Sequence, residues 1–448
     1  MKAFFATLIL LSGLAMQARA QTQPGTTLSP NRIDGYGAPL GPPVPVSRAA
    51  EPATIDIIGG YYQQDGSHGA VEGGRGTQQL TDVPPAIIVN VPLDTVSRLS
   101  ANVGADFYAS ASTDRIDFAL STPSSHDVRY HGDFGYSREQ RTKGRLWGVG
   151  AGVSKEYDYF STNVTASFAK TSRDGNRQLS VAGQVFFDQV TLIAPLELRT
   201  NGRKENGTDT RQTYNFTATY SQVISKRLQL AVNAELVSQN GLLSTPFHRV
   251  YFYDNPTPNP APAAPTDFAA TAPSAPKAEL LPRTRLKYPV SLRLNYYATD
   301  LVQLRAFYRF YNDNFGIVAH TLEVELPVKV TPFFVLYPFY RYHTQIASRY
   351  FAPYLGHSIN DEYYTSDYDL SAFAANKLGL GLRYSPVYGI GRFRVPGKTT
   401  QGLPHVMRFR SVDLRYAHYQ QTGASRYATA DRADLIANIV SFDLGFSL

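Results

Sequence analysis

From residue 53 to the end of the chain, apolar and polar residues take turns. Leu99, Ala101, Val103, Ala105, Phe107 and Ala109 alternate with Ser100, Asn102, Gly104, Asp106, Tyr108 and Ser110. A period of two places each set on one face of a β-strand, whereas a helix would scatter both sets around its circumference. The pattern recurs at residues 128–136, 147–153, 162–168, 179–185, 214–220, 228–236, 290–296, 334–342, 378–384, 412–416 and 440–448. Less regular strands at 55–62 and 87–93, and a hairpin at 301–328, bring the count to sixteen. In the hairpin, Val302, Leu304, Ala306, Tyr308 and Phe310 form an apolar face that Leu322, Val324, Leu326 and Val328 continue. Arg305, Arg309, Glu323 and Glu325 hold the other face, and a turn around Asn312 to Phe315 would set Arg305 opposite Glu323.

Each run is about nine to eleven residues or slightly longer, which is what a tilted strand needs to cross a bilayer. The connections alternate in length. Those near Asp94, Arg141, Ser225, Thr299 and Thr331 are short, while residues 66–82, 193–211, 240–285 and 345–377 are long. Two connections depart from the rule, a short one at 155–159 and a long one at 386–408. An even strand number, with both ends on one side, predicts a single all-β fold: a transmembrane antiparallel β-barrel of about 16 strands with long extracellular loops and short periplasmic turns. On that fold the apolar face meets lipid and the charged face meets the lumen. The final strand fits closure of such a barrel by assembly machinery in the outer membrane, although it ends on Leu448 rather than Phe.

Composition narrows the classes further. Tyr (30) and Phe (25) abound against a single Trp, and charged residues are 18%, below the roughly 25% of average soluble proteins. Mean hydropathy is nevertheless negative, as in an alternating barrel and unlike a helical membrane protein. No apolar run of eighteen follows the first twenty residues. Those twenty carry Lys2, an apolar run from Phe4 to Met16, and Ala18-Arg19-Ala20, the pattern of a signal peptide (1–20) cleaved after Ala20. Residues 21–52 lack periodicity and read as a flexible periplasmic lead-in to a barrel at 53–448, with a Pro/Ala-rich loop insert at 255–277. Cleavage lowers the net charge from +7 to +5, too little to argue for nucleic acid. With no cysteine, disulfides, iron–sulfur clusters and covalent haem are excluded within the chain.

Candidate chemistry falls in two places. Arg293, Arg305, Arg309, Glu323, Glu325, Arg341, His343, Arg383 and Arg415 share the polar face, either as a charged row that biases permeation or as an ion-pair ladder filling the interior. Asp65, His68, Glu72, Gly73 and Gly74 lie in a Gly-rich stretch. No helix follows to make a phosphate cradle, so tight turns and close backbone approach are the expected use of its glycines, with a metal site at Asp65 and His68 as the alternative. The nine histidines form no paired metal motif and no nucleophile elbow occurs. No catalytic residue, metal or cofactor is therefore expected. A rim hydrolase built from Asp82, Asp367, His248, His343 and Ser366 is the weakest reading. Tyr350, Tyr354, Tyr363, Tyr364 and Tyr368 crowd one loop, as an interfacial girdle or as a stacking platform.

Several stretches carry a resemblance: Tyr61-Tyr62-Gln63-Gln64-Asp65-Gly66, the Gly69 to Thr77 segment, Val91-Pro92-Leu93-Asp94, Asn240-Gly241-Leu242-Leu243-Ser244-Thr245-Pro246-Phe247-His248, Tyr337-Pro338-Phe339-Tyr340-Arg341-Tyr342 and Tyr364-Thr365-Ser366-Asp367-Tyr368. On these the chain resembles outer-membrane barrels, mainly from Bacteroidota, catalogued as domain-of-unknown-function family 3570. The insert at 255–277 departs from that family's pattern. The resemblance implies a link to extracytoplasmic redox or flavinylation systems and establishes no activity. Two functions follow as expectations: a porin-like conduit for small solutes, or a barrel sleeve for periplasmic or surface redox lipoproteins.

Overall fold

The computed structural model describes residues 52–110, 126–199, 205–258, 272–398, 404–424 and 432–448. Residues 1–51, on which the expected signal peptide and lead-in fall, and most of the Pro/Ala-rich insert lie outside them. Sixteen antiparallel staves form one closed sheet. The first half runs β1 (Thr54–Gly66), β2 (Leu80–Val83 and Ala86–Pro92), β3 (Ser97–Ser110), β4 (His126–Gln140), β5 (Arg145–Lys155), β6 (Tyr159–Thr171), β7 (Arg177–Ile193) and β8 (Glu205–Ser225). The second half runs β9 (Leu228–Gly241), β10 (Thr284–Lys287 and Val290–Tyr297), β11 (Gln303–Asn312), β12 (Val318–Glu325 and Val328–Thr331), β13 (Phe334–Gln345), β14 (Phe373–Tyr384), β15 (Pro404–Gly423) and β16 (Leu435–Ser447). Each pairs with its sequence neighbour, and β16 closes on β1 in a continuous register from Thr54↔Ser447 to Gly66↔Leu435. Closure leaves no open edge within the ring of sixteen staves, the condition for strands to cross lipid.

The staves are longer than the alternating cores in the sequence, up to the 21 residues of β8, so several extend beyond a bilayer's span. Three carry a prolyl break, at Pro84-Pro85, Pro289 and Pro327. Proline has no N–H to give the ladder, but its carbonyl still accepts. Ala105 N–H reaches Pro85 O at 3.0 Å, Glu235 N–H reaches Pro289 O at 2.9 Å and Gln303 N–H reaches Pro327 O at 3.0 Å. The long inner connection at 386–408 is not a loop throughout. A strand, Gly391–Lys398, pairs with the beginning of β15 and extends the sheet past β14.

Outward positions are apolar and exposed, among them Phe134, Val149, Val164 and Leu378. At the end carrying the short turns, Tyr136, Trp147, Tyr220, Tyr296, Phe333, Tyr384, Tyr388 and Phe393 stand exposed together, an aromatic girdle of the kind found at a membrane interface. Where the outer wall lacks a side chain, an aromatic ring covers the gap. Phe442 lies over its cross-strand partner Gly59, so close that a Cβ there would fall 2.4 Å from the ring. Inward positions are polar along β6 to β9, including Ser161, Asn163, Thr165, Gln184, Asn215 and Asn233. From β13 through β16 to β2 the inner wall instead holds a packed cluster of Tyr62, Leu80, Phe339, Phe373, Tyr419, Leu435 and Ile439.

Candidate functional site

Two constructions stand out, a charged inner wall and a cap of loops. On the wall, the hairpin β11–β12 differs in register from its sequence reading. Arg305 faces Glu325, and Glu323 faces Phe307. The turn spans residues 313–317, fixed by the Asp313 carboxylate, which accepts from the N–H of Phe315 and of Ile317 at 3.0 Å each. Gly316 takes φ +87°, a conformation that L side chains rarely adopt. A shift of two residues keeps every side chain on its face, so the inward charges remain inward.

Glu325 accepts from Arg305 Nη1 at 2.7 Å and lies 3.6 Å from Arg415 Nη1, so one carboxylate serves guanidinium groups on β11 and β15. The reach across two intervening staves is possible because β14 carries Gly379 and Gly381 on the inner face. A Cβ at Gly381 would fall 1.9 Å from the Tyr337 ring, and one at Gly379 would fall 2.3 Å from Phe339. The two rings therefore lie flat on the wall, and the Arg415 guanidinium sits 4.6 Å above Tyr337. Tyr337 OH donates to Asp413 and accepts from Arg415 Nε at 3.0 Å. Glu323 pairs with Arg341 directly opposite, Arg341 in turn faces Lys377, and Arg309 reaches Glu235 at 3.2 Å. Arg293 stacks on Phe307 at 5.4 Å, His343 Nδ1 lies 2.9 Å from Thr321 Oγ1, and Arg383 faces Asp413.

The sequence-derived row thus lies on one inner wall, from β9 to β15. Of the charges named so far on it, seven are cations (Arg293, Arg305, Arg309, Arg341, Lys377, Arg383, Arg415) and four are carboxylates (Glu235, Glu323, Glu325, Asp413), and Lys287 and Lys329 add further cations to the same face. Near the short-turn end the wall borders a cavity of about 210 Å³ lined by Arg305, Tyr337, Arg383, Asp413 and Arg415 together with residues of the 299–303 turn. The Arg305 side chain is 39% exposed there. Ion pairs and wetted guanidinium groups coexist on this surface.

At the opposite end, loops from distant staves meet. Arg249 donates to Val71 O at 2.9 Å and forms a bidentate ion pair with Glu197. Val71, Ile193 and Phe247 pack together. Residue 71 follows β1, Glu197 follows β7 and Arg249 follows β9. In a ring of sixteen staves, β1 and β9 lie on opposite sides, roughly 30 Å apart across the mouth for a barrel of this strand number. Contact between their loops must therefore cross the mouth. Burial pushes the Glu197 carboxyl up, but the hydrogen bond and charge of Arg249 outweigh it and hold the group below its usual range.

In the same cap, His68 stacks on Tyr368 with centroids 4.1 Å apart, its Nδ1 2.9 Å from Gly74 O. Gly73 and Gly74 have φ of +71° and +88°, and a Cβ on them would strike Tyr251 and Tyr368 respectively. Glu72 is buried and its carboxylate covers Gly76. Asp65 is exposed and accepts only a long bond from Gln79, so it is not brought to His68. The tyrosines of 346–372 form no girdle. Tyr364 and Tyr368 are buried, Tyr354 meets Tyr251 edge-on at 5.3 Å, and Tyr350 meets Tyr363 at 5.6 Å.

Of the residues offered for a hydrolase, His248 and Asp367 do meet, with Nδ1 3.9 Å from Oδ2, and Glu279 joins them. All three are buried, and His343 lies on the β13 wall instead. Glu279 was missed by sequence reasoning. It lies thirty-one residues from His248 on the far side of the insert, and no local pattern marks it.

A family model described as "Protein of unknown function (DUF3570)" matches residues 45–386. No curated protein matches the chain. Among solved structures, a bacterial polysaccharide outer membrane secretin is similar at 10% identity, over 90% of this chain and 100% of that one, with a TM-score of 0.43. CdiB from Acinetobacter baumannii is 9% identical over 89% and 61% of the respective chains, with a TM-score of 0.44. OccK1 (OpdK) from Pseudomonas aeruginosa is 8% identical over 88% and 98%, with a TM-score of 0.35.

Proposed function

The chain belongs to the family of unknown function DUF3570, and we propose that it serves in the outer membrane as a porin-like conduit for small solutes, restricted at one mouth by its loops. The observation that carries this reading is the inner wall. A barrel of sixteen staves encloses more space than inward side chains fill, and strand numbers near this leave an aqueous channel. Here the inward face is polar along β6 to β9 and cationic from β10 to β15, with Arg305 exposed to the interior. A closed protein core of this size would need apolar filling, and among the described residues of the wall the packed apolar cluster is confined to the β13 to β2 sector. The apolar exterior and aromatic girdle favour a membrane, and a bilayer with strand-crossing proteins favours the outer one.

Excess cationic charge on the wall favours anions in the lumen. Purified protein in planar bilayers is expected to give steady open-channel current whose reversal potential in a salt gradient shows anion preference. Protein that is folded and inserted yet electrically silent would overturn the conduit. If flavoproteins then co-purified with it, the sleeve reading would take its place.

A further inference from the structure

The cap contains a construction that neither the wall nor the loop packing requires. His248 and Glu279 sit at the base of a two-stranded ribbon, Arg249–Val250 against Lys277–Ala278, and Glu279 N–H donates to His248 O at 2.9 Å. The ribbon clips the insert shut and places the two side chains together. Asp367 arrives from the facing loop, which Leu280 and Tyr364 join through reciprocal backbone bonds of 2.8 and 3.1 Å. One ligating atom of each residue lies within 4.8 Å of the other two, and His248 Nδ1 is 3.8 Å from Glu279 Oε1 and 3.9 Å from Asp367 Oδ2. Three atoms so spaced leave a centre roughly 2.2–2.5 Å from each, close to the bond lengths of a first-row divalent cation to nitrogen and oxygen.

The orientation of the carboxylates is built. Glu279 accepts from Thr245 N–H at 2.6 Å and from the Thr365 hydroxyl, while Asp367 Oδ1 accepts from Asp369 N–H at 2.9 Å. That leaves Asp367 Oδ2, in a residue 2% exposed, aimed at the cluster without a hydrogen-bond donor. Among the described residues, no Arg or Lys pairs with either carboxylate. With both carboxylates ionised, the cluster would bury net negative charge even with His248 charged, which is costly unless a proton or a cation compensates. Supporting hydrogen bonds that fix the ligands are what metal sites use to orient their first shell.

We propose that His248, Glu279 and Asp367 bind one first-row divalent cation of the zinc type, which staples the insert-bearing loop to the facing loop across the barrel mouth. The chain supplies one imidazole and two carboxylates, and burial excludes a bulky substrate. The staple holds whether or not the lumen conducts, so its test does not depend on current.

The test uses the full mature chain in detergent, stripped with a chelator, dialysed and titrated with Zn²⁺ against a chromophoric chelator. Wild type is expected to bind one equivalent, with Asp367→Asn and Glu279→Gln weakening it at least tenfold and His405→Ala, at the opposite end, leaving it unchanged. X-ray absorption at the zinc edge of the wild type should show one imidazole nitrogen among oxygen neighbours. That measurement decides the matter on its own if the variants fail to fold. No bound equivalent in the wild type, equal affinity in the variants, or a shell with no imidazole or with several would each overturn the site.

Discussion

Glu325 holds the largest share of the inner wall's balance at the level of single residues, since it faces both Arg305 and Arg415. Glu325→Gln leaves two guanidinium groups facing a neutral amide. Breaking a buried pair costs about 3–5 kcal/mol, and the 39% exposure of Arg305 discounts this to about 2–4 kcal/mol. Urea unfolding in lipid reads that loss, and the reversal potential should move further toward anions. Gly381 makes a different kind of demand. The Tyr337 ring above it is tied at its hydroxyl to Asp413 and Arg415, so it cannot swing away from a new methyl group. Gly381→Ala should destabilise by about 1–3 kcal/mol. Gly183→Ala, with nothing within 4 Å of the added atom, should change stability by less than about 0.5 kcal/mol in the same unfolding measurement. Alternation places Gly183 on the outer face with Leu179 and Val185 and Gly381 on the inner face with Lys377 and Arg383, but it does not show which of them a ring covers. What separates them is the ring from the next stave.

Each stave, taken as an element, was readable because lipid on one side and a wet interior on the other impose a period of two on every residue. The stave ends were not. Polar extensions such as the start of β8 have no apolar face to mark them, and the Gly391–Lys398 strand pairs outside the alternating core. Register was also beyond the sequence, because a turn of five residues at 313–317 and one of three give the same two faces. Only the Asp313 carboxylate, bonded to two backbone N–H groups, selects between them. The closing seam of β16 and β1 gives an element-scale prediction. Phe442→Ala removes the ring that covers Gly59, leaving the seam's backbone uncovered, and should lower the unfolding midpoint by an amount worth about 1 kcal/mol. A value indistinguishable from zero would mean that lipid covers the gap equally well.

For the whole molecule, the cap is the part that joins distant staves. Arg249 ties the loop after β9 to Val71 O and to Glu197, so Arg249→Ala should free the mouth. Larger single-channel conductance and faster proteolysis of the 242–283 loop, with the barrel itself still resistant, are the expected outcomes; unchanged conductance would mean that the cap does not limit flow. Alternation alone determined that the chain is a closed transmembrane barrel of sixteen staves, which positions face outward, and that Arg293, Arg305, Arg309, Arg341, Arg383 and Arg415 share a face, because each of these follows from local periodicity and parity of the connections. Which charge meets which, and that His248, Glu279 and Asp367 converge, was decided only by the tertiary structure. Ion pairing depends on register, and the cap on loops whose attachment points are half a circumference apart, so no spacing along the chain records either.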